Sequence, residues 1–255
     1  MQTEKMRGEP SGRYRFVDSR ELANHTKEIP SSGIIFRMRL RKLLATPLMV
    51  ALTLCLAYSQ QPTATVSFKL DFPGADPSHY EIVIASDGQG SYTSNGKFDD
   101  HSDAADPAPL QFVLSENIRT QIFDLAKKSH YFTGKIDSGQ KNIANTGAKT
   151  LAYKDASHNS QATYNYSMLQ SVTQLTSIFQ NLSTTMEFGR RLVYLHKYQK
   201  LALDDQLKRM EEMQRENSLG DVGAIAPVLK DIANDSSVMN VSRARALRLL
   251  ASAGK

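Results

Sequence analysis

The sequence predicts an α+β fold: a mostly antiparallel sheet with two packed helices, followed by a long helix and a C-terminal helical hairpin. Three observations predict it. Short apolar–polar alternations come in pairs joined by tight turns, the signature of hairpins rather than crossovers. Two stretches of helical periodicity are interleaved with those pairs. From Met186 onward strand patterning stops and only helical periodicity remains.

The first strand covers Thr65–Phe72, where Val66, Phe68, Leu70 and Phe72 point one way and Ser67, Lys69 and Asp71 the other. Pro73-Gly74 and Asp76-Pro77 end it with turn chemistry. Tyr80–Ala85 and Gly90–Ser94 read as a hairpin around Asp87-Gly88, closing at Asn95-Gly96. Leu110–Leu114 is a further short strand, and Ser115 caps a helix over Glu116–Ser129 whose apolar face holds Ile118, Ile122, Leu125 and Ala126. Residues 133–147 are rich in Gly, Asn, Ser and Thr and read as a loop. Thr150–Tyr153 and Gln161–Tyr166 form a second hairpin around Asp155–Asn159, and Met168–Leu182 a second helix.

Met186–Glu216 reads as one long helix with apolar residues near a 3.6 period, which predicts packing on the domain rather than a coiled coil. Its polar face offers Glu187–Arg191, Asp204–Lys208, Asp205–Arg209 and Glu211–Arg215 at i,i+4. Asn217–Gly220 breaks it. Val222–Ala233 and Val238–Ala253 then make a hairpin with Asp235-Ser236 at the turn. The expected organisation is an N-terminal extension (1–37), a signal peptide (38–59), a linker (60–64), an α+β domain (65–185) and a helical module (186–255).

The leader carries most of what the sequence says about location. Arg39, Arg41 and Lys42 precede an apolar run, Leu43–Ala57, followed by Tyr58-Ser59. A charged start, an apolar middle and a small-residue pattern at Ala57 and Ser59 make a secretory signal, with cleavage before Gln60. The run is about 15 residues long, against roughly 20 for a bilayer span, and it contains Pro47. An uncleaved anchor is the alternative, and the positive-inside rule exports residues 60–255 either way. Cys55 lies in the run behind Leu54, where a lipobox would carry a small residue, so lipidation is disfavoured. The polar stretch 1–37 is long for a signal; its simplest reading starts translation at Met38, and a disordered cytoplasmic tail is the alternative.

The whole chain has a net charge of +5. Residues 1–59 carry ten basic and five acidic side chains, so that excess belongs to the leader and the exported part is formally neutral. The basic charge is therefore no argument for nucleic acid or an anionic membrane as partner, and contact with a membrane comes only through an uncleaved leader. The single cysteine goes with the leader, leaving no disulfide, thiol nucleophile or cysteine metal site beyond it. A disulfide-free exported domain of this length points to a bacterial periplasmic or secreted protein.

Two pattern-level resemblances rest on these residues. Pro227-x-Leu229, Ile232-Ala233-x-Asp235, then Val241-x-Arg243-x-Arg245-Ala246-x-x-Leu249-Leu250 resembles one unit of a HEAT-type helical repeat. A single unit makes no solenoid, so it is expected to cap the long helix. The strand–Asp-Gly–strand hairpin, the Phe-x-Leu-Ser before a helix, and the second hairpin and helix resemble uncharacterised bacterial secreted domains with no assigned activity.

No sequence pattern defines a catalytic, cofactor or metal site. Asp99, Asp100, His101, Asp103 and Asp106 lack the spacing and central glycine of an EF-hand and read as a solvated loop. His79, His101, His130, His158 and His196 include no i,i+4 pair, and there is no phosphate loop or Gly-x-Ser-x-Gly elbow. A hydrolase would need Asp137 gathered with His130 or His101 in space. Asp137-Ser138-Gly139 reads first as a turn, and His130 as a helix end. The interaction candidates are Arg190 and Arg191, poorly placed for a helix dipole near a helix start, and Tyr164 and Tyr166, which share a strand face as a carbohydrate or peptide platform. Pairing of the arginines with Glu187 and cross-strand packing of the tyrosines compete with that role. The expected function is non-catalytic contact with a protein or an envelope component.

Overall fold

The computed structural model describes residues 63–98 and 109–253. The leader with Cys55, Ala57, Ser59 and Gln60, and the acidic loop with His101, lie outside them. Six strands form one antiparallel sheet: β1 (Thr65–Asp71), β2 (His79–Ala85), β3 (Gln89–Ser94), β4 (Leu110–Val113), β5 (Ala148–Lys154) and β6 (Asn159–Tyr164). Their order is β4-β3-β2-β1-β5-β6, so the second hairpin joins the first at β1. Alternation selects the buried face: Phe68 pairs with Ile82 on one side and Leu151 on the other, and Val66 with Ile84 and Tyr153. Gly90 is required where β3 meets β4, because a Cβ there would lie 2.5 Å from the Phe112 ring and 2.9 Å from Ile84.

The helices cover that face: α1 (Glu116–Lys128), α2 (Gln170–Tyr198), α3 (Leu203–Arg215), α4 (Ala226–Asn234) and α5 (Asn240–Ala253). Phe179 of α2 stacks on Phe68 with centroids 5.2 Å apart and planes 4° from parallel. The α+β architecture with a long helix and a closing hairpin is as expected, but two helix boundaries differ. The long helix begins at Gln170, not Met186, and passes unbroken through Ser183-Thr184-Thr185. Thr184 and Thr185 return their hydroxyls to the carbonyls of Gln180 and Asn181 at 3.1 and 3.2 Å, so they continue the helix instead of ending it. Val172, Leu175, Phe179, Leu182, Met186, Leu192 and Leu195 thereby make one buried stripe. The boundary at 185/186 falls inside α2.

The real break is at Gln199, followed by a 3-10 turn, Lys200–Ala202. A straight helix from Gln170 to Arg215 would run about 69 Å at 1.5 Å per residue, far past the core. The break turns Leu203, Leu207 and Met210 back into it. Asn217, with φ 56°, ends α3 in a left-handed cap: Ser218 N–H donates to the Met213 carbonyl and Asn217 N–H to that of Gln214. The anticipated i,i+4 pairs give way to tertiary ones. Asp204 and Glu211 bind Arg245 at 2.8 and 2.5 Å, and Glu211 also binds Arg248 at 2.8 Å, which fastens α3 to α5.

The two halves share one hydrophobic core, from Val66 to Leu249. Gly220 lies flat on α2, where a Cβ would sit 2.7 Å from the Leu182 backbone, and its N–H donates to the Asn181 carbonyl at 3.0 Å. Asp221 accepts from Gly223 N–H at 2.9 Å and Ser115 N–H at 2.6 Å, joining the last helices to the β4–α1 junction. Among the described residues no helix is long and apolar enough to cross a membrane.

Candidate functional site

The inward alternation of β5 runs Lys149, Leu151, Tyr153. Leucine and tyrosine suit that face; the lysine is the exception. Lys149 is only 4% exposed and sits beside Leu70 of β1 and Tyr164 of β6 at one end of the sheet. Its ammonium donates to Thr146 Oγ1 at 2.7 Å, to the Thr146 and Asn165 carbonyls at 3.0 Å each, and toward the Gly147 carbonyl at 3.4 Å. Every acceptor is neutral, and no described carboxylate lies within ion-pair distance. Desolvation by burial lowers its pKa.

Lys149 lines a hollow of about 200 Å³ together with Thr146, Tyr164, Asn165, Tyr166, Ser167, Thr173, Thr176 and Gln180. The lining contains no acidic residue. The wall from 146 to 147 is held by Asn165, whose side-chain carbonyl accepts Thr146 N–H at 2.9 Å. Gly147 takes φ 92°, and a Cβ there would lie 2.8 Å from Phe72. The opposite wall is the start of α2, which has no acidic residue in its first turn and no side-chain cap. Tyr166 lines the hollow, and Met168 and Leu169 follow it in the chain; the three are 47%, 72% and 44% exposed.

The predicted interaction residues divide. β6 ends at Tyr164, so the alternation does not extend to Tyr166. Tyr164 is buried, with its hydroxyl 2.5 Å from Thr176 Oγ1, and Tyr166 is open to solvent. They make no two-ring platform, but both line the hollow. Arg190 is buried, which removes it as a surface contact. Its guanidinium donates to Glu187 at 3.0 Å, to Ser94 Oγ, and toward the Gly96 carbonyl at 3.4 Å, and lies 4.9 Å from the Phe98 ring centroid. Glu187 also accepts from Tyr92 at 2.7 Å and Ser94 at 2.5 Å, so the pair pins α2 to β3. Arg191 remains partly exposed, 3.6 Å from Asp76.

His130 and Asp137 are not brought together by any hydrogen bond or ion pair among the described residues. His130 is exposed at the end of α1, and its carbonyl accepts from Thr133. Asp137 spends its oxygens on Gly139 N–H at 2.7 Å and Asn165 N–H at 3.0 Å. Those backbone donors, Gly139 first, hold its carboxyl below the usual range and tie the 133–147 loop to the end of β6.

A second cluster escaped sequence reasoning. His130, Tyr131 and Phe132 take φ 50°, 53° and 61°, an uncommon left-handed run for residues with side chains. The Tyr131 ring lies 4.5 Å from Tyr153 and 4.3 Å from His158, and its carbonyl accepts from Ser160. Asp155 accepts from Tyr153 Oη at 2.9 Å and from the His158 ring at 3.1 Å. Burial pushes the Asp155 carboxyl up, but the N–H groups of Ser157 and His158, the His158 ring and Tyr153 bring it down to about 2. Asp155 thus gathers Tyr153, Ser157 and His158 around itself, and the cluster holds a turn.

Lys149 falls just before the strand expected at Thr150–Tyr153 and was missed; the signal that would find it is its place in phase with Leu151 and Tyr153. The hollow around it was not legible either, because its other walls come from Thr146 and α2. Among the described residues no group of three or more His, Cys, Asp or Glu side chains is placed to hold a metal ion. No protein-family model and no curated protein matches the chain.

Proposed function

We propose that residues 60–255 are exported from a bacterial cell and act as a non-catalytic binding module for a protein or a component of the cell envelope. Export rests on the leader: basic residues, the apolar run 43–57 and the small-residue pattern at Ala57 and Ser59. An uncleaved leader would tether the same module to the membrane without changing its binding face. The observation that carries the binding role is the exposed run Tyr166, Met168 and Leu169, which starts at the lining of a polar hollow. Large side chains held in water along the chain that lines a concave polar site are what a partner covers. The non-catalytic part is supported by Asp137, whose carboxylate is committed to backbone donors instead of to a histidine.

A photo-crosslinking residue placed at Met168 of the full chain, in the expressing bacterium, tests the face. An adduct of one discrete mass is expected from position 168, with none from the exposed position Glu212, and Tyr166→Ala should reduce its yield several-fold. No adduct from 168, or the same adducts from both positions, would contradict the reading.

A further inference from the structure

Lys149 is the strongest lead, because its charge has no carboxylate partner among the described residues. Its three protons meet four acceptors, so its hydrogen bonding is complete. Its charge is not compensated. Burying an ammonium among neutral oxygens leaves most of the cost of desolvation in place, and an opposite charge is what removes it. The nearby carboxylate of Asp137 is turned to the Asn165 N–H and forms no ion pair with Lys149. The basic groove between α3 and α5 is different, because Arg245 and Arg248 there already hold Asp204 and Glu211.

The other lining groups say what accompanies the anion. Thr173 donates its hydroxyl proton to the Ser167 and Leu169 carbonyls, and Thr176 to the Val172 carbonyl. Tyr164 then donates to Thr176. The threonines are left with lone pairs, which suit ligand hydroxyls. Gln180 and Tyr166 bring an amide and a phenol to the rim, and both donate to an oxyanion. At about 200 Å³ the hollow is below the roughly 300–1,000 Å³ of drug-sized sites, so it suits one small unit.

From these groups we infer that the hollow binds a single oxyanion, carboxylate or phosphate, borne by a small hydroxylated ligand with the chemistry of an acidic sugar. The charge of Lys149 selects the anion, the threonine lone pairs take hydroxyls, and Tyr166 covers the ring. The inference rests on the hollow being the binding face proposed above.

The test titrates the exported chain with glucuronate, glucose 6-phosphate and glucose, followed by NMR of the Lys149 side chain and by calorimetry. Saturation by one or both anions is expected at about 10 mM, ten times a 1 mM dissociation constant. Glucose should bind at least about tenfold more weakly, and Lys149→Met should lose about tenfold or more. The better anion decides between a carboxylated and a phosphorylated source. Gln180→Ala, on the exposed side of α2, leaves the sheet untouched and should weaken the anion several-fold, so the test survives a Lys149 variant that fails to fold. No saturation by either anion, equal binding of glucose, or binding unchanged in both variants would overturn the inference. Adducts from position 168 that persist after such a failure would place the error in the ligand chemistry, and their absence would place it in the binding face.

Discussion

Glu187 and Arg190 stand three residues apart on α2, yet what decides their role is Tyr92 and Ser94 on β3. Removing one partner of a buried pair strands the other charge. Arg190→Met should therefore destabilise the protein by about 3–5 kcal/mol in urea unfolding, and Glu187→Leu with Arg190→Met should cost less than the two singles together. Gly90→Ala should cost about 1–3 kcal/mol by driving a Cβ into the Phe112 ring. Asp155 gives a pH signature. Its folded pKa of about 2 lies below the ordinary 3.8, so the unfolded chain binds the proton more readily and stability is lost as pH falls between those values. Thermal melts of wild type and Asp155→Asn should differ near neutrality and converge as pH drops from about 4 toward 2. At this scale Lys149 is missed by a strand read from Thr150, because β5 begins two residues earlier, at Ala148. The pairing of Arg190 with Glu187 was legible, three residues away on the same helix; its contact with Ser94 was not, because Ser94 lies 96 residues away in sequence.

Strands were the most legible elements, because period-two burial leaves its mark on every residue of β1 and β2. Helix ends were less so. Ser183-Thr184-Thr185 reads as a stop only if its hydroxyls leave the helix, and here they fold back on it. Gln199 carries no stop signal; the turn there is imposed by the need of Leu203 and Leu207 for the core. Asn217, by contrast, is a chemical stop and was read as one. Contact between elements makes Gly220 the sharpest test. Gly220→Ala would press a Cβ within 2.7 Å of the Leu182 backbone, which has no rotamer to yield, and should lower the melting midpoint by several degrees. The hollow belongs to this scale too, since β5, β6, Thr146 and α2 each supply a wall.

The helical half is not a separable module in the described structure, because α2 spans both halves and a single core runs through them. Residues 60–255 should unfold in one cooperative transition, with tyrosine near-UV and far-UV circular dichroism superimposed. The chain has ten tyrosines and no tryptophan, and buried Tyr92 and Tyr153 report the sheet directly. A fragment ending at residue 185 should show no such transition, since it lacks Met186, Glu187, Leu192 and Leu195. Fold class was legible from hairpins alternating with helices; the fusion of the halves was not, because it depends on one helix continuing past three hydroxyl residues. Binding outside the cytoplasm requires export before anything else. The intact mass of the protein from cytoplasmic, membrane, periplasmic and culture fractions of an expressing bacterium tests that most directly. A soluble species beginning at Gln60 in the periplasm or medium is the expected result, and an unprocessed chain confined to the cytoplasm would contradict it.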